Sequence, residues 1–249
     1  MSARLRLKSV ALARVVLAAW HILMGGWEVW RHFGGLNSTQ RLVRSQRWAQ
    51  RFLARLEIEL EIEGQPNEAQ TLLVANHISW LDILVLMAAS PCRLVSKSEV
   101  KAWPLIGHLA QAAGTLFIER SQRRDAMRVV HDMAAALREG QVLAIFPEGT
   151  TSNGQALLPF HANLLQAAIS ANVPIQSVAI SYWDLPQRTR SLAPAYIGDD
   201  TLVTSLWRTL QAPRLGVKVS FLPPQTQQGR DRRAWAADLH QQLAQHLYD

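Results

Sequence analysis

The period of the hydrophobic pattern changes along this chain. Residues Leu56 to Glu63 read L-E-I-E-L-E-I-E. Strict alternation of this kind predicts a half-exposed strand, with Leu56, Ile58, Leu60 and Ile62 facing inward. The glutamates on its outer face discourage pairing with another edge. Gly64-Gln65-Pro66-Asn67 then predicts a turn. Beyond it, short apolar runs alternate with segments of helical period. Strands are predicted at Thr71–Ala75, Arg93–Ser96, Thr115–Ile118, Val142–Phe146, Ile175–Ser181 and Val217–Leu222. Helices are predicted near Trp80–Ala89, Leu105–Ala112, Asp125–Arg138, Asn163–Ala171, Leu202–Leu210 and Arg232–Leu247. This alternation predicts an α/β fold, a mostly parallel sheet covered by helices on both faces. Ligands of such sheets bind beyond the carboxyl ends of the strands.

The first fifth of the chain follows another pattern. Val10 to Trp30 is strongly apolar and carries Trp20, Trp27 and Trp30, a residue type suited to the bilayer interface. Its uninterrupted part, Val15 to Trp27, is about 13 residues, whereas a span needs roughly 20. Arg14 and Glu28 bracket it, and Gly25-Gly26 weakens the helix. A shallow or half-inserted helix is therefore expected rather than a full crossing. No small-residue cleavage site follows Trp27, so the segment is read as retained and not as a signal peptide. A second helix places Arg44, Arg47, Arg51 and Arg55 within about 80° of one another. Leu42, Ala49, Phe52, Leu53 and Leu56 gather on another face. That pattern predicts a helix in the headgroup plane of an anionic membrane surface. The competing reading is a surface helix packed on the core. The expected organisation is residues 1–56 as membrane-associated helices and 57–249 as the α/β domain, with no linker, repeat or low-complexity stretch between them.

Charge sharpens this picture. The net charge is +7 and the pI near 10.3. Between Met1 and Leu56 there are 10 basic residues and one acid, Glu28. A basic segment suits nucleic acid or an anionic membrane. Here the arginines interleave with Trp and Leu, and no nucleic-acid motif is present, so the membrane is expected and nucleic acid is not. The single Cys92 excludes an internal disulfide and a multi-cysteine metal site.

Three short blocks carry the candidate chemistry. The first, Asn76-His77-Ile78-Ser79-Trp80-Leu81-Asp82, begins where the TLLVA strand ends. Histidine takes up protons near neutrality, and a carboxylate on its other nitrogen fixes the tautomer. On one continuous helix, positions i and i+5 lie about 140° apart and share no face. His77 is therefore placed on the turn before a helix, with Asp82 in the first or second helical turn and Asn76 orienting the turn. Taken alone, this spacing more often marks a capped helix with a buried histidine. The second block, Gly114-Thr115-Leu116-Phe117-Ile118-Glu119-Arg120, ends in an arginine whose planar fork suits phosphate. Arg123 and Arg124 are read as solvated charges. The third, Phe146-Pro147-Glu148-Gly149-Thr150-Thr151-Ser152, puts a glycine where backbone amides can approach an anion, beside two hydroxyls.

Together and in this order, the blocks resemble the glycerolipid acyltransferase family, over roughly Leu72 to Ile180. The resemblance implies transfer of an acyl group from a thioester, acyl-CoA or acyl carrier protein, to the free hydroxyl of a lysophospholipid. The expected acceptor is 1-acylglycerol-3-phosphate, giving phosphatidic acid. It implies His77 as general base with Asp82 behind it, and Arg120, Glu148, Gly149, Thr150 and Lys97 on the acceptor side. Glu148 is expected to bond a glycerol hydroxyl or Arg120. Neither a further cofactor nor a metal is implied. Ser79 and Cys92 are read as structural, so transfer is expected without an acyl-enzyme. The cytoplasmic face of the inner membrane is the expected location.

Two departures bear on the acceptor. Where relatives that use lysophosphatidic acid often show F-K-x-G, this chain has Phe160-His161-Ala162-Asn163. The block usually like V-P-I-x-P-V reads Val173-Pro174-Ile175-Gln176-Ser177-Val178. Lyso-ornithine lipid thus stays open as an alternative acceptor. A catalytically dead membrane-surface binding protein is the non-enzyme alternative, against which the intact His77 and Asp82 weigh.

Overall fold

The computed structural model describes residues 3–118, 123–185, 187–212 and 214–248. Eight strands form one sheet: β1 Ile58–Glu63, β2 Thr71–Ala75, β3 Arg93–Lys97, β4 Leu116–Ile118, β5 Val142–Ile145, β6 Ile175–Asp184, β7 Thr189–Arg190 and β8 Leu215–Phe221. Their order is β1-β8-β6-β2-β5-β3-β4, with β7 hairpinned onto β6. The pairs from β6 through β2, β5 and β3 to β4 are parallel. β8 runs antiparallel to β6, and β1 runs parallel to β8. The sheet is thus mostly parallel, with β8 and β1 reversed at one edge and the short β7 antiparallel on β6.

The helices are α1 Ala3–His32, α2 Ser38–Arg55, α3 Leu81–Ala89, α4 Ile106–Ala112, α5 Arg123–Arg138, α6 Gln166–Ala171, α7 Leu202–Gln211 and α8 Arg232–Tyr248. Short 3-10 turns occupy Ser98–Ala102 and Ala162–Leu165, the latter replacing the expected first turn of α6. Both faces of the sheet are covered. In β2, Leu73 and Ala75 enter a core shared with α2, α3 and α7, while Leu72 and Val74 enter one shared with α5, α6 and α8. Val142 and Ala144 of β5 divide from Leu143 and Ile145 in the same way. A strand buried on both sides reads as a continuous apolar run, as TLLVA and VLAI do. Of the inward positions expected in β1, Ile58 is buried but Ile62 is 46% exposed, because β1 is an edge strand and its end overhangs the core.

The N-terminal helices depart from expectation in two ways. Helix α1 runs unbroken through Gly25 and Gly26, and its Ser9–Gly35 stretch, extended by the following turn, is long and apolar enough to cross a membrane. The glycines serve close packing. A Cβ on Gly25 would lie 2.5 Å from Trp48 Nε1, and one on Gly26 2.5 Å from Leu105 Cδ1. Arg14 does not mark the end of the apolar run. It is buried, bonds the carbonyls of Leu210 and Ala212, and pairs with Glu57 at 2.7 Å. Helix α2 begins at a capping box of Asn37 and Gln40. Its apolar face is not free for lipid. Ala49, Phe52, Leu53 and Leu56 are buried in the protein core. The headgroup-plane reading of that face is therefore corrected, because protein already covers it. The exposed apolar stripe belongs to α1, at Val16, Trp20, Leu23, Trp27 and Trp30.

Candidate active site

Strand β2 ends at Ala75, paired with Val178 of β6. The ladder is continued by a side chain. Asn76 donates to the Ile180 carbonyl at 2.9 Å and accepts the Ile180 N–H at 2.7 Å. This replaces the missing strand partner and turns the chain so that His77 leaves the sheet. Helix α3 starts four residues later, with Asp82 in its first turn. His77 Nδ1 lies 2.8 Å from Asp82 Oδ2. The same oxygen accepts the N–H groups of Ile78 at 2.6 Å and Ser79 at 2.8 Å. Asp82, in the first turn of the helix, thus reaches back to hold the preceding turn as well as the ring. A carboxylate only accepts, so Nδ1 carries the proton and Nε2 holds the lone pair. Ser79 Oγ is occupied by the Leu81 N–H at 3.1 Å.

The third block meets the first from the end of β5. The Phe146 ring stacks on the His77 ring, with centroids 4.1 Å apart and planes at 16°. The chain then turns at Gly149, whose φ of 72° suits glycine. Glu148 is 3% exposed, and its oxygens accept the N–H of His77 at 2.7 Å and of Leu158 at 3.0 Å. Burial pushes its carboxyl above the ordinary range, and the two N–H bonds partly restore it. Among the described residues the partners of Glu148 are backbone amides; the expected Arg120 lies outside them. Backbone amides take both oxygens because the side chain folds inward beneath the turn. Ser152 N–H closes the arrangement by donating to the His77 carbonyl at 2.9 Å.

His77 opens onto a crevice walled by Trp80, Lys97, Phe146, Gly149, Thr150 and Tyr196. Arg120 lies outside the described residues. Ile83, Leu94, Ile106, Ala110 and Thr115 form a common wall with a second, largely apolar cavity. That cavity reaches beneath α1 and α2 to Gly25 and Trp48. Leu105, at the entry to α4, has φ 61° and ψ −49°, and Ile106 N–H bonds the Pro104 carbonyl at 2.6 Å. This tight three-residue turn packs against Gly26 of α1. Cys92 is buried away from the crevice, and burial raises its thiol to about 12.

Two further residues escaped the sequence reading. Tyr196 joins the wall from the loop before α7. Its N–H bonds the Ile78 carbonyl at 3.0 Å and its carbonyl accepts the Thr151 hydroxyl. Tyr182 of β6 reaches Asp82 from below, its hydroxyl 2.6 Å from Oδ1. Neither sits in a block with a spacing signal. Tyr182 does fall on the inward phase of a strand, at two-residue steps from Val178 and Ile180, and that was the only available hint.

Comparison with known proteins shows the family and the fold. The family model described as Acyltransferase covers residues 57–181. The chain belongs to the acyltransferase family and is an enzyme of that class. A lyso-ornithine lipid O-acyltransferase of Pseudomonas aeruginosa is 42% identical over 211 residues, 84% of this chain and 79% of the relative. A 1-acyl-sn-glycerol-3-phosphate acyltransferase of Neisseria gonorrhoeae is 41% identical over 173 residues, 68% of this chain and 67% of the relative. Among solved structures, the 1-acyl-sn-glycerophosphate acyltransferase PlsC of Thermotoga maritima superposes with a TM-score of 0.72 over 98% of this chain and 95% of its own, at 19% identity. That likeness establishes the fold.

Proposed function

We propose that this enzyme transfers a fatty acyl group from acyl-CoA or acyl carrier protein to the hydroxyl of 1-acylglycerol-3-phosphate, with His77 as general base. The carrying observation is the 2.8 Å contact of His77 Nδ1 with buried Asp82, in a residue that lines the crevice. Nε2 takes the acceptor's hydroxyl proton as its oxygen attacks the thioester carbonyl. Asp82 holds the tautomer and stabilises the imidazolium, which returns the proton to the departing thiolate. Lys97, Gly149 and Thr150 offer a cation, a turn and a hydroxyl on the polar side of the crevice; Arg120 is assigned to the acceptor's phosphate with them. Glu148 contributes by holding the His77 backbone. The adjoining apolar cavity supplies a seat for an acyl chain. The exposed apolar stripe of α1 supports membrane association, and the cytoplasmic face of the inner membrane is our assigned surface.

A second reading changes only the acceptor. The relative named for lyso-ornithine lipid matches over more of the chain than the one named for 1-acyl-sn-glycerol-3-phosphate, and the Phe160–Asn163 segment lacks the lysine and glycine common to lysophosphatidate users. Purified enzyme with labelled acyl donor, offered lysophosphatidic acid, lysophosphatidylcholine and lyso-ornithine lipid, decides between them. The highest kcat/KM on lysophosphatidic acid is expected. Preference for lyso-ornithine lipid establishes the second reading, and turnover of none of these acceptors overturns both.

A further inference from the structure

We infer that Tyr182 is a positioning residue for acyl transfer, acting through Asp82 on the His77 ring. The inference rests on the reading of His77 as the base.

The argument begins with unequal strand lengths. β6 spans 10 residues and β2 only 5. Their pairing stops at Ala75 and Val178. Beyond that point β6 runs on with β8 as its neighbour, from Val178 opposite Phe221 to Asp184 opposite Leu215. The flank that β2 vacates is shared by the His77 turn, at Ile180, and by β7, at Trp183 and Asp184. Asn76 fills it at Ile180, through the two bonds described above. Two residues further along, on the same face of the strand, Tyr182 projects into the core shared with α3. Its ring is 1% exposed and its hydroxyl meets Asp82 Oδ1 at 2.6 Å. A carboxylate is acceptor-only, so the phenol donates.

The division of labour on Asp82 gives this bond its consequence. Oδ2 takes the His77 ring and the N–H groups of Ile78 and Ser79. Oδ1 takes Tyr182. Asp82 itself is completely buried, where an oxygen without a donor is costly. Without the phenol, rotation of the carboxylate would bring Oδ1 into competition for the donors that Oδ2 now holds, and the ring would lose its fixed orientation. The groups facing Asp82 are His77, Tyr182 and, more distantly, Glu148. Burial first, and then the Asp82 charge, hold the phenol's pKa well above its ordinary value, so it stays a donor throughout the working range. A buried tyrosine with a purely structural bond would share the distance and the burial. It would not share a dependence on His77.

The test compares Tyr182→Phe with wild type, in each case with and without His77→Ala, using labelled acyl donor and lysophosphatidic acid in vesicles. In the wild-type background Phe is expected to lower kcat about tenfold, the low end for one hydrogen bond to a charged group, with KM within about twofold. The acid limb of the pH profile is expected to move to higher pH, because without the phenol Asp82 presents more of its negative charge to the imidazolium form of the base. In the His77→Ala background the same change is expected to alter the residual rate by less than about twofold, since the two residues act as a unit. A Phe variant with wild-type kcat and pH profile overturns the inference, whatever its melting temperature. An equal loss in both backgrounds also overturns it. His77→Ala at full activity overturns the reading of the base, and this inference with it; His77→Ala inactive with Tyr182→Phe unaffected overturns only the inference. Should the Phe variant not fold, 3-fluorotyrosine at position 182 keeps the packing and makes a more acidic donor. It is expected to move the acid limb to lower pH, and an unmoved limb counts against the inference.

Discussion

Replacing Asp82 by asparagine isolates the charge behind His77 with almost no change of shape. The carboxylate now accepts four bonds, three at Oδ2 and one at Oδ1. Asparagine keeps one oxygen and converts the other into a two-proton donor. With the amide oxygen at the Oδ2 position, the bonds from His77, Ile78 and Ser79 survive and the NH2 faces the Tyr182 hydroxyl. That hydroxyl can rotate to accept, so the fold loses about one bond, roughly 1–3 kcal/mol. The imidazolium formed during catalysis, however, faces a neutral partner. A hydrogen bond to a charged group contributes about 1.5–3 kcal/mol, which is roughly ten- to hundredfold in rate. With the amide reversed, its NH2 meets three donors, the histidine takes the wrong tautomer, and the loss extends toward about 10⁴. The expected result is a folded protein with kcat lowered about 10–10⁴ and KM little changed. Steady-state kinetics with labelled acyl donor, alongside circular dichroism and thermal unfolding, measures both quantities. A folded Asp82→Asn enzyme with kcat within about threefold of wild type would refute the assignment of the pair.

The remaining expectations concern other parts of the molecule. Glu148→Gln should lower kcat by about tenfold or more, because an amide leaves one of the His77 and Leu158 N–H groups without an acceptor. Since burial raises the Glu148 pKa, its stabilising share is present below the ordinary carboxylate range and is lost as pH rises through the folded-state value. Urea unfolding of the Gln variant should therefore show a weaker decline as pH rises above the ordinary carboxylate range, and an unchanged slope argues against that assignment. Arg120→Ala should weaken apparent acceptor affinity about ten- to hundredfold while sparing the donor; the reverse pattern in initial-rate kinetics exchanges the two sides of the crevice. Changing Trp20, Leu23 and Trp27 together to serine should release the enzyme from vesicles at any salt, since each buried side chain contributes about 1.5–3 kcal/mol, and retained flotation places the anchor elsewhere. Point changes suit this test better than deletion of residues 1–56, which would strip Phe52 and Leu53 from the core. Cys92, with its thiol near 12, should resist maleimide at neutral pH in the native enzyme and react in denaturant; rapid native labelling, followed by mass spectrometry, would contradict its burial.

Much of the architecture was written in local pattern. TLLVA, VLAI and the 3.6-period segments sit within a few residues of their expected places, because burial on two sheet faces or one helix face leaves its period in the chain. The pairing of His77 with Asp82 was legible for a similar reason: a five-residue separation can meet only if a turn precedes the helix, and a strand end supplies that turn. What local pattern does not carry is which surface faces what. Helix α2 shows an apolar face and an arginine stripe whether its cover is lipid or protein, and only the packing of Phe52 and Leu53 on the core decided it. Glu148 reads as a polar group at a binding turn. Its inward fold onto the His77 and Leu158 amides depends on two segments that meet only in three dimensions. The antiparallel β8 likewise has the same composition as a parallel strand, because direction is set by connection and not by side chains. Tyr182 is the clearest case. It lies 100 residues from Asp82, in a strand whose pattern says only that it points inward. The excess length of β6 over β2 turns that inward position into a bond to the carboxylate. Short-range periodicity fixes where elements form, since it follows from backbone geometry and burial. Contacts across long sequence separations follow from strand order and overhang, which no local pattern encodes.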